Sequence, residues 1–318
     1  MTVLLTGASG FVGKAVLKTA QQRGLNIRPV FRSLGSTEGH PEAVLIPGLD
    51  GAADWSQALQ GVDVVIHAAA RAHIMREEAL DLLAEYKRVN VEGTLNLARQ
   101  TAAAGVRRFV FISSIKVNGE ATVPGRPFSA DDSPSPQDVY GVSKAEAESQ
   151  LRQVAQETGM EVTIIRPPLI YGLGVKGNLA SLISWVRRGL PLPLGGVTQN
   201  RRSLVGLDNL VDLILVCIHH PKAANQTFLI SDGEDLSTTE LLRRIGMALN
   251  QPARLLWVPE FTIYFMAGLF GKKMISERLL GSLQVDINKT RELLDWKPSV
   301  AVDEGLRRAV EQARVTYI

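Results

Sequence analysis

The chain has 318 residues, 45% hydrophobic and 21% charged, with 28 glycines and 15 prolines. That is ordinary globular composition, with room for one large or two coupled cores, and it excludes a collagen, a coiled coil and a disordered chain. Thirty-five basic and 32 acidic residues are scattered along the chain for a formal charge of +3, which gives no electrostatic footprint for nucleic acid. The single cysteine, Cys217, rules out an intrachain disulfide and a cysteine-built zinc site, and no His/Asp/Glu spacing suggests another metal. One cysteine suits a reducing cytosol, and the opening MTVLLTGASG lacks a signal-peptide pattern, so a cytoplasmic protein is expected.

Apolar runs rich in Val, Ile and Phe at 3–6, 26–32, 43–46, 62–67, 108–113 and 162–166 predict strands. The intervening segments, such as 12–23, 91–104 and 140–156, predict helices. Near-continuously apolar strands alternating with helices imply an α/β fold, a doubly wound parallel sheet covered on both faces. After Arg166 the regularity breaks at Pro167-Pro168, Gly172, Gly174, Gly177 and the Pro/Gly-rich stretch 191–196. Two domains are therefore expected: 1–170, and a smaller one over 171–318. A strand at 227–231, with segments near 203–232, returns to the first. The stretch 255–271 is apolar but interrupted by Pro259 and Glu260, and is shorter than the ~20 residues that span a bilayer. It reads as a buried or interface helix; the alternative is a helix lying on a membrane surface, helped by Lys272 and Lys273.

The first strand runs straight into Gly7-Ala-Ser-Gly10-Phe-Val-Gly13 and then a helix. A side chain at such a turn would block a pyrophosphate, and the amides at the helix start must point at its oxygens. Glycines three apart at a strand–helix junction therefore predict a dinucleotide site. The second strand ends Val30-Phe31-Arg32-Ser33, and no acid follows until Glu38. NAD sites usually place an acid there for the ribose hydroxyls, whereas a guanidinium suits a 2′-phosphate. Arg32 thus favours NADP(H), with NAD(H) as the alternative.

Tyr140 and Lys144 stand four apart at the start of a helical run and share its face. A lysine ammonium beside a phenol stabilises phenolate and is expected to lower the tyrosine pKa. Ser113 and Ser114 end the strand at 108–113, where ligands of open α/β sheets bind. A hydroxyl there can hold a substrate oxygen and share its proton with Tyr140.

With these motifs, and with His67-Ala-Ala-Ala70, Asn90-Val-Glu-Gly-Thr94, Arg166-Pro-Pro-Leu-Ile-Tyr-Gly172 and Leu294-Asp-Trp-Lys-Pro298, the chain resembles the extended short-chain dehydrogenase/reductases, particularly their nucleotide-sugar epimerases and reductases. The resemblance runs nearly end to end. It implies a Rossmann-like sheet, a smaller C-terminal substrate domain, a UDP-sugar substrate and a homodimer through the helices at 91–104 and 140–156. It implies Tyr140 as the acid/base, Lys144 on the nicotinamide ribose, and Ser114 on the reacting oxygen. Gly7, Gly10, Phe11, Val12 and Gly13 would line the pyrophosphate, and Arg32 and Ser33 the adenosine ribose. Ala68 and Ala69 would pass over the cofactor, Leu49 would lie by the adenine and Pro167 by the nicotinamide. Asn90 would hold the fold, and Asn178 and Arg202 would bind the nucleotide diphosphate. Relatives often have an acid before the residue matching Leu49, where this chain has Gly48. Dehydratases of the family carry Thr-Asp-Glu where this chain has Ser114-Ile115-Lys116, so dehydration is not expected. The expected reaction is NADPH-dependent reduction of a UDP-4-keto-6-deoxy-N-acetylhexosamine. A UDP-hexose or UDP-N-acetylhexosamine 4-epimerase with retained NAD is the alternative, and a non-catalytic cofactor-binding protein would need a broken catalytic set. His73, Glu77, Glu78, His40 and Asp50 read as loop residues without a role.

Overall fold

A computed structural model describes residues 1–33, 39–71, 82–123, 125–269, 277 and 279–315. Its centre is a parallel seven-stranded sheet. The strands are β1 (Thr2–Thr6), β2 (Asn26–Phe31), β3 (Val44–Leu45), β4 (Val64–His67), β5 (Arg108–Ile112), β6 (Glu161–Arg166) and β9 (Thr227–Leu229). They lie in the order β3-β2-β1-β4-β5-β6-β9. The order reverses between β1 and β4, the arrangement expected of a Rossmann-like fold. Side chains alternate between two cores, as a pleated strand requires. Val3, Leu5, Val64, Ile66, Val110 and Ile112 face α1 (Phe11–Gln22) and a later helix, Leu207–Cys217. Leu4, Val65, Phe109 and Phe111 face the opposite layer.

That layer holds a short helix α2 (Leu82–Tyr86), a π-helical turn (Lys87–Glu92), α3 (Gly93–Ala103) and α4 (Val139–Thr158). The helix expected at 91–104 thus begins earlier and is wider-wound at its start. Buried Asn90 sits in that wider turn. Its Oδ1 accepts from the Arg71 amide at 2.8 Å, and its Nδ2 donates to the Arg71 carbonyl and the Ser143 hydroxyl, each at 3.1 Å.

A second sheet consists of β7 (Leu169–Tyr171), β8 (Arg202–Gly206) and β10 (Asp235–Leu236), with β8 in the middle. Its strands are too short to show in the apolar pattern. Around it pack α5 (Asn178–Arg187), α7 (Thr238–Leu249) and α10 (Val302–Val315), while α6 (Leu207–Cys217) returns the chain to the large sheet. A capping box starts α7: the Ser237 hydroxyl accepts from the Glu240 amide at 3.1 Å, and the Glu240 carboxylate accepts from the Ser237 amide at 2.8 Å. The helix within 255–271 is α8 (Glu260–Leu269), and it has no buried residue. This corrects the buried half of the expectation of a buried or interface helix: among the described hydrophobic side chains of α8, Ile263 packs, partly buried, against the core around the second sheet. The last short helix is α9 (Asn288–Leu294). Among the described residues no helix is long and apolar enough to cross a membrane.

Candidate active site

Backbone alone builds the turn after β1. Gly7 has φ +73°, and a Cβ there would lie 2.6 Å from the Ala69 nitrogen and 2.7 Å from the Ala68 carbonyl carbon. The chain leaving β4 therefore presses directly on the turn. A Cβ on Gly13 would fall 2.0 Å from the Gly7 oxygen, so α1 approaches as closely as main chain permits. Gly10 is different. It is exposed, and its Cβ would meet only the Gly7 oxygen, at 3.1 Å. It precedes α1 with no side-chain cap, leaving the first-turn amides of Phe11 and Val12 without intrahelical acceptors. A dinucleotide pyrophosphate fits this cradle.

β2 lies parallel to β1 with Pro29 opposite Leu5. Arg32 and Ser33, both exposed, therefore leave the sheet at the same edge as Gly7. No acid occupies 26–33, and Glu38 lies outside the described residues, as do His73, Glu77 and Glu78. Half-buried Leu49 follows β3 and presses its carbonyl on α3, where a Cβ on Gly93 would be 2.8 Å from the Leu49 oxygen. Asp50 is not simply solvated: it pairs with Arg88 at 3.7 Å and accepts from the Ala52 amide at 3.0 Å. His40 also has company, at 3.3 Å from Gln21 and with its ring 5.6 Å from that of Phe31.

The second wall is made of side chains. β5 ends in Ser113 and Ser114, and Ser114 caps a 3₁₀ turn (Ile115–Val117) by accepting from the Lys116 amide at 3.3 Å. That turn packs on the first turn of α4, where the Asp138 carboxylate accepts from the Gly141 amide at 2.7 Å and from the Lys116 ammonium. Although burial opposes it, Lys116 and that amide together hold the Asp138 carboxyl below its ordinary range. Tyr140 follows, its ring edge-on to Tyr86 at 6.1 Å. One turn on, Lys144 is fully buried; its ammonium donates to the Ile112 carbonyl at 2.9 Å and lies 4.3 Å from the Phe111 ring centre.

The electrostatics run opposite to the expected phenolate. Burial, then Asp138 and Tyr86, push the Tyr140 phenol well above the ordinary tyrosine range. Burial brings Lys144 down to about 7, against the pull of Glu148. A desolvated lysine at the edge of losing its own charge does little to stabilise a neighbouring anion, and burial favours the neutral form of Tyr140.

Ser113 also departs from expectation. Its hydroxyl donates to the Glu148 carboxylate at 2.6 Å and is committed to the core. Glu148 is completely buried and accepts two further bonds from Arg166, at 2.9 and 2.6 Å. Arg166 in turn donates to the Asn118 amide oxygen at 2.9 Å. Helix spacing held the signal for this network, because Tyr140, Lys144 and Glu148 fall four apart on one face. His67 belongs to the same wall: its ring bonds Thr6 at 2.6 Å and Thr94 at 3.0 Å. Burial, then Lys144, brings it down to about 3, so it is neutral.

Buried Pro167 accepts from the Ile115 amide at 3.0 Å and so lies against Ser114. Arg202 opens β8 and donates to the Gly281 carbonyl at 3.0 Å. It is bridged to Leu283, whose side chain shares a cluster with Ile115. Asn178 is exposed at the first position of α5. Cys217 is buried, its thiol pushed up to about 12 by that burial. No group of metal-binding side chains occurs among the described residues.

A model of the NAD dependent epimerase/dehydratase family matches residues 3–231. A protein of Vibrio cholerae named UDP-glucose 4-epimerase is 46% identical over 312 residues, covering 98% of this chain and 94% of that protein. Among solved structures, UDP-glucose 4-epimerase from Thermotoga maritima with UDP-glucose superposes over all of both chains with a TM-score of 0.79 at 23% identity. UDP-glucuronic acid 4-epimerase from Bacillus cereus with NAD covers 100% of this chain and 98% of that one, with a TM-score of 0.79 at 20% identity. The two structures share this fold.

Proposed function

The chain belongs to the NAD dependent epimerase/dehydratase family and is an enzyme of that type, and on that premise we propose that it reduces the C4 ketone of a UDP-4-keto-6-deoxy-N-acetylhexosamine with NADPH. The observation that carries this reading is that Ser114 caps the turn after β5 that packs on α4, whose first turns carry Tyr140 and, bonded to the Ile112 carbonyl, Lys144. A bound nicotinamide dinucleotide supplies the hydride that C4 receives. Tyr140 gives its proton to the C4 oxygen, and Ser114 orients that oxygen. Lys144 holds the nicotinamide ribose. Pro167, Ala68 and Ala69 would border the dinucleotide, Leu49 would lie by its adenine, and Arg32 with Ser33 would receive the 2′-phosphate. Asn178 and Arg202 bind the UDP diphosphate, on a substrate-binding part distinct from the dinucleotide-binding part (1–170 with 203–232).

Reduction needs a proton for the C4 oxygen as the hydride arrives, for which a phenol favoured in its neutral form is suited; epimerisation needs that group first to take a proton from the C4 hydroxyl. The carboxylates a dehydratase needs are replaced by Ile115 and Lys116, and Lys116 is bound to Asp138. The second reading, a UDP-sugar 4-epimerase with retained NAD, is favoured by the name of the Vibrio cholerae relative.

One assay separates them. Freshly generated UDP-4-keto-6-deoxy-N-acetylhexosamine is added to enzyme and NADPH, and absorbance is followed. Stoichiometric NADPH loss is expected. No loss, together with UDP-glucose–UDP-galactose interconversion and NAD released from denatured enzyme, would establish the epimerase.

A further inference from the structure

Seven of the large apolar side chains exposed among the described residues fall within 256–269. Trp257 is 74% exposed, Phe261 75%, Phe265 66% and Leu269 65%, a concentration that single scattered surface residues do not produce. Loose packing does not explain it. The ledge carrying Trp257 is laced to the loop after α5. The Leu192 amide donates to the Arg254 carbonyl at 2.8 Å, and the Leu256 amide returns to Leu192 at 2.8 Å. Gly195 and Gly196 pack so tightly beneath the ledge that a Cβ on either would lie 2.9 Å from the Leu256 oxygen or 2.4 Å from the Val258 oxygen.

The helix that follows is sided. Ile263 leans on the second core, and Phe261, Phe265 and Leu269, four apart, form a line on the far side of α8. Cations mark the ledge that leads into α8. Arg188 and Arg254 are exposed on the two chain segments of the ledge, and Lys272 and Lys273 follow in the sequence.

We propose that 256–269 docks the protein on an anionic lipid surface. Phe261, Phe265 and Leu269 enter the boundary between headgroups and acyl chains, and Trp257 lies beside them. Aromatic and aliphatic side chains in a line, with exposed arginines on the adjoining ledge, match the chemistry of that boundary. The cations favour anionic over zwitterionic headgroups. A sugar nucleotide, polar and anionic, has nothing to gain from this apolar line. With no spanning helix among the described residues, the contact made by 256–269 is peripheral.

The test is co-sedimentation of the full chain with vesicles rich in phosphatidylglycerol and, separately, with phosphatidylcholine vesicles. Binding to the first and weaker binding to the second are expected, with a blue shift of tryptophan emission that Trp257→Phe removes. Phe261→Ser with Phe265→Ser should lower vesicle affinity at least about tenfold and leave thermal unfolding and turnover unchanged. Absence of binding to either vesicle overturns the proposal, as does equal binding by the double variant. Concentration-dependent self-association that the double variant abolishes, without vesicle binding, assigns the face to a second copy of the chain instead.

Discussion

The glycine turn and the wall formed by β5 and α4 are made of opposite materials. The turn is main chain. Gly7 and Gly13 bring three backbone segments into contact, and what it offers a ligand is amides. The wall is side chain: Glu148, Arg166, Ser113, Asn118 and Lys144 are all buried, and each has a polar partner. A backbone site fails by steric intrusion, whereas a buried polar site fails by loss of a partner.

The sharpest separation comes from two alanines. Gly13→Ala puts a Cβ 2.0 Å from the Gly7 oxygen. Because main chain cannot step aside, it should cost about 3 kcal/mol or more, measured as loss of cooperative unfolding or a large fall in Tm. Gly10→Ala meets the same oxygen only at 3.1 Å and should keep the fold while weakening dinucleotide binding. Equal Tm losses for both would break the distinction.

In the wall, Glu148→Ala leaves the buried Arg166 charge without its carboxylate and should cost about 3–5 kcal/mol in denaturant unfolding. Glu148→Gln, which keeps an acceptor, should cost less. Tyr140→Phe should instead reduce turnover by roughly 10²–10⁴-fold with Tm almost unchanged, since the substitution keeps the ring that packs edge-on to Tyr86. Full turnover in this variant would remove Tyr140 from the chemistry.

Lys144 couples the wall to pH. Its pKa is about 7 in the fold against an ordinary 10.5, so between those values the unfolded chain holds a proton that the folded one has released. Stability therefore rises with pH across that window and carries the full burial penalty below it. Lys144→Met should gain most in Tm over the parent below pH 7 and progressively less towards pH 10, while losing activity. A Tm difference independent of pH would show that burial does not govern this lysine. The smallest effect on stability is expected of exposed Arg32: Arg32→Asp should leave Tm in place and lower the preference for NADPH over NADH in titrations of both.

Much of the fold is legible in the amino-acid sequence. Strands β1, β4, β5 and β6 are apolar on both faces because both faces are covered, and that pattern needs no tertiary knowledge. The glycine spacing and the Tyr140/Lys144 pair are legible for the same reason, since local geometry dictates them. Three things are not. The short strands β7, β8 and β10 owe their existence to pairing with one another, and they lie in the stretch after Arg166 where Pro and Gly break the regular alternation of apolar strands and helices. The fates of Ser113 and Ser114, adjacent and chemically identical, diverge because the pleat turns one towards Glu148 and leaves the other at the sheet edge. The apolar stretch at 255–271 reads as a buried or interface helix, and its sequence leaves the two open because hydrophobicity records what a residue avoids, not what is available to cover it.

The sequence by itself determined the parallel sheet, the glycine turn after β1 and the shared helix face of Tyr140 and Lys144, because each follows from periodicity or from spacing within one element. Only the tertiary structure decided the charge state of that pair, the partner of each buried polar group and the exposure of α8. Burial and the position of a counter-charge arise from segments distant in the chain, as where Glu148 of α4 meets Arg166 of β6 and keeps Ser113 from the site.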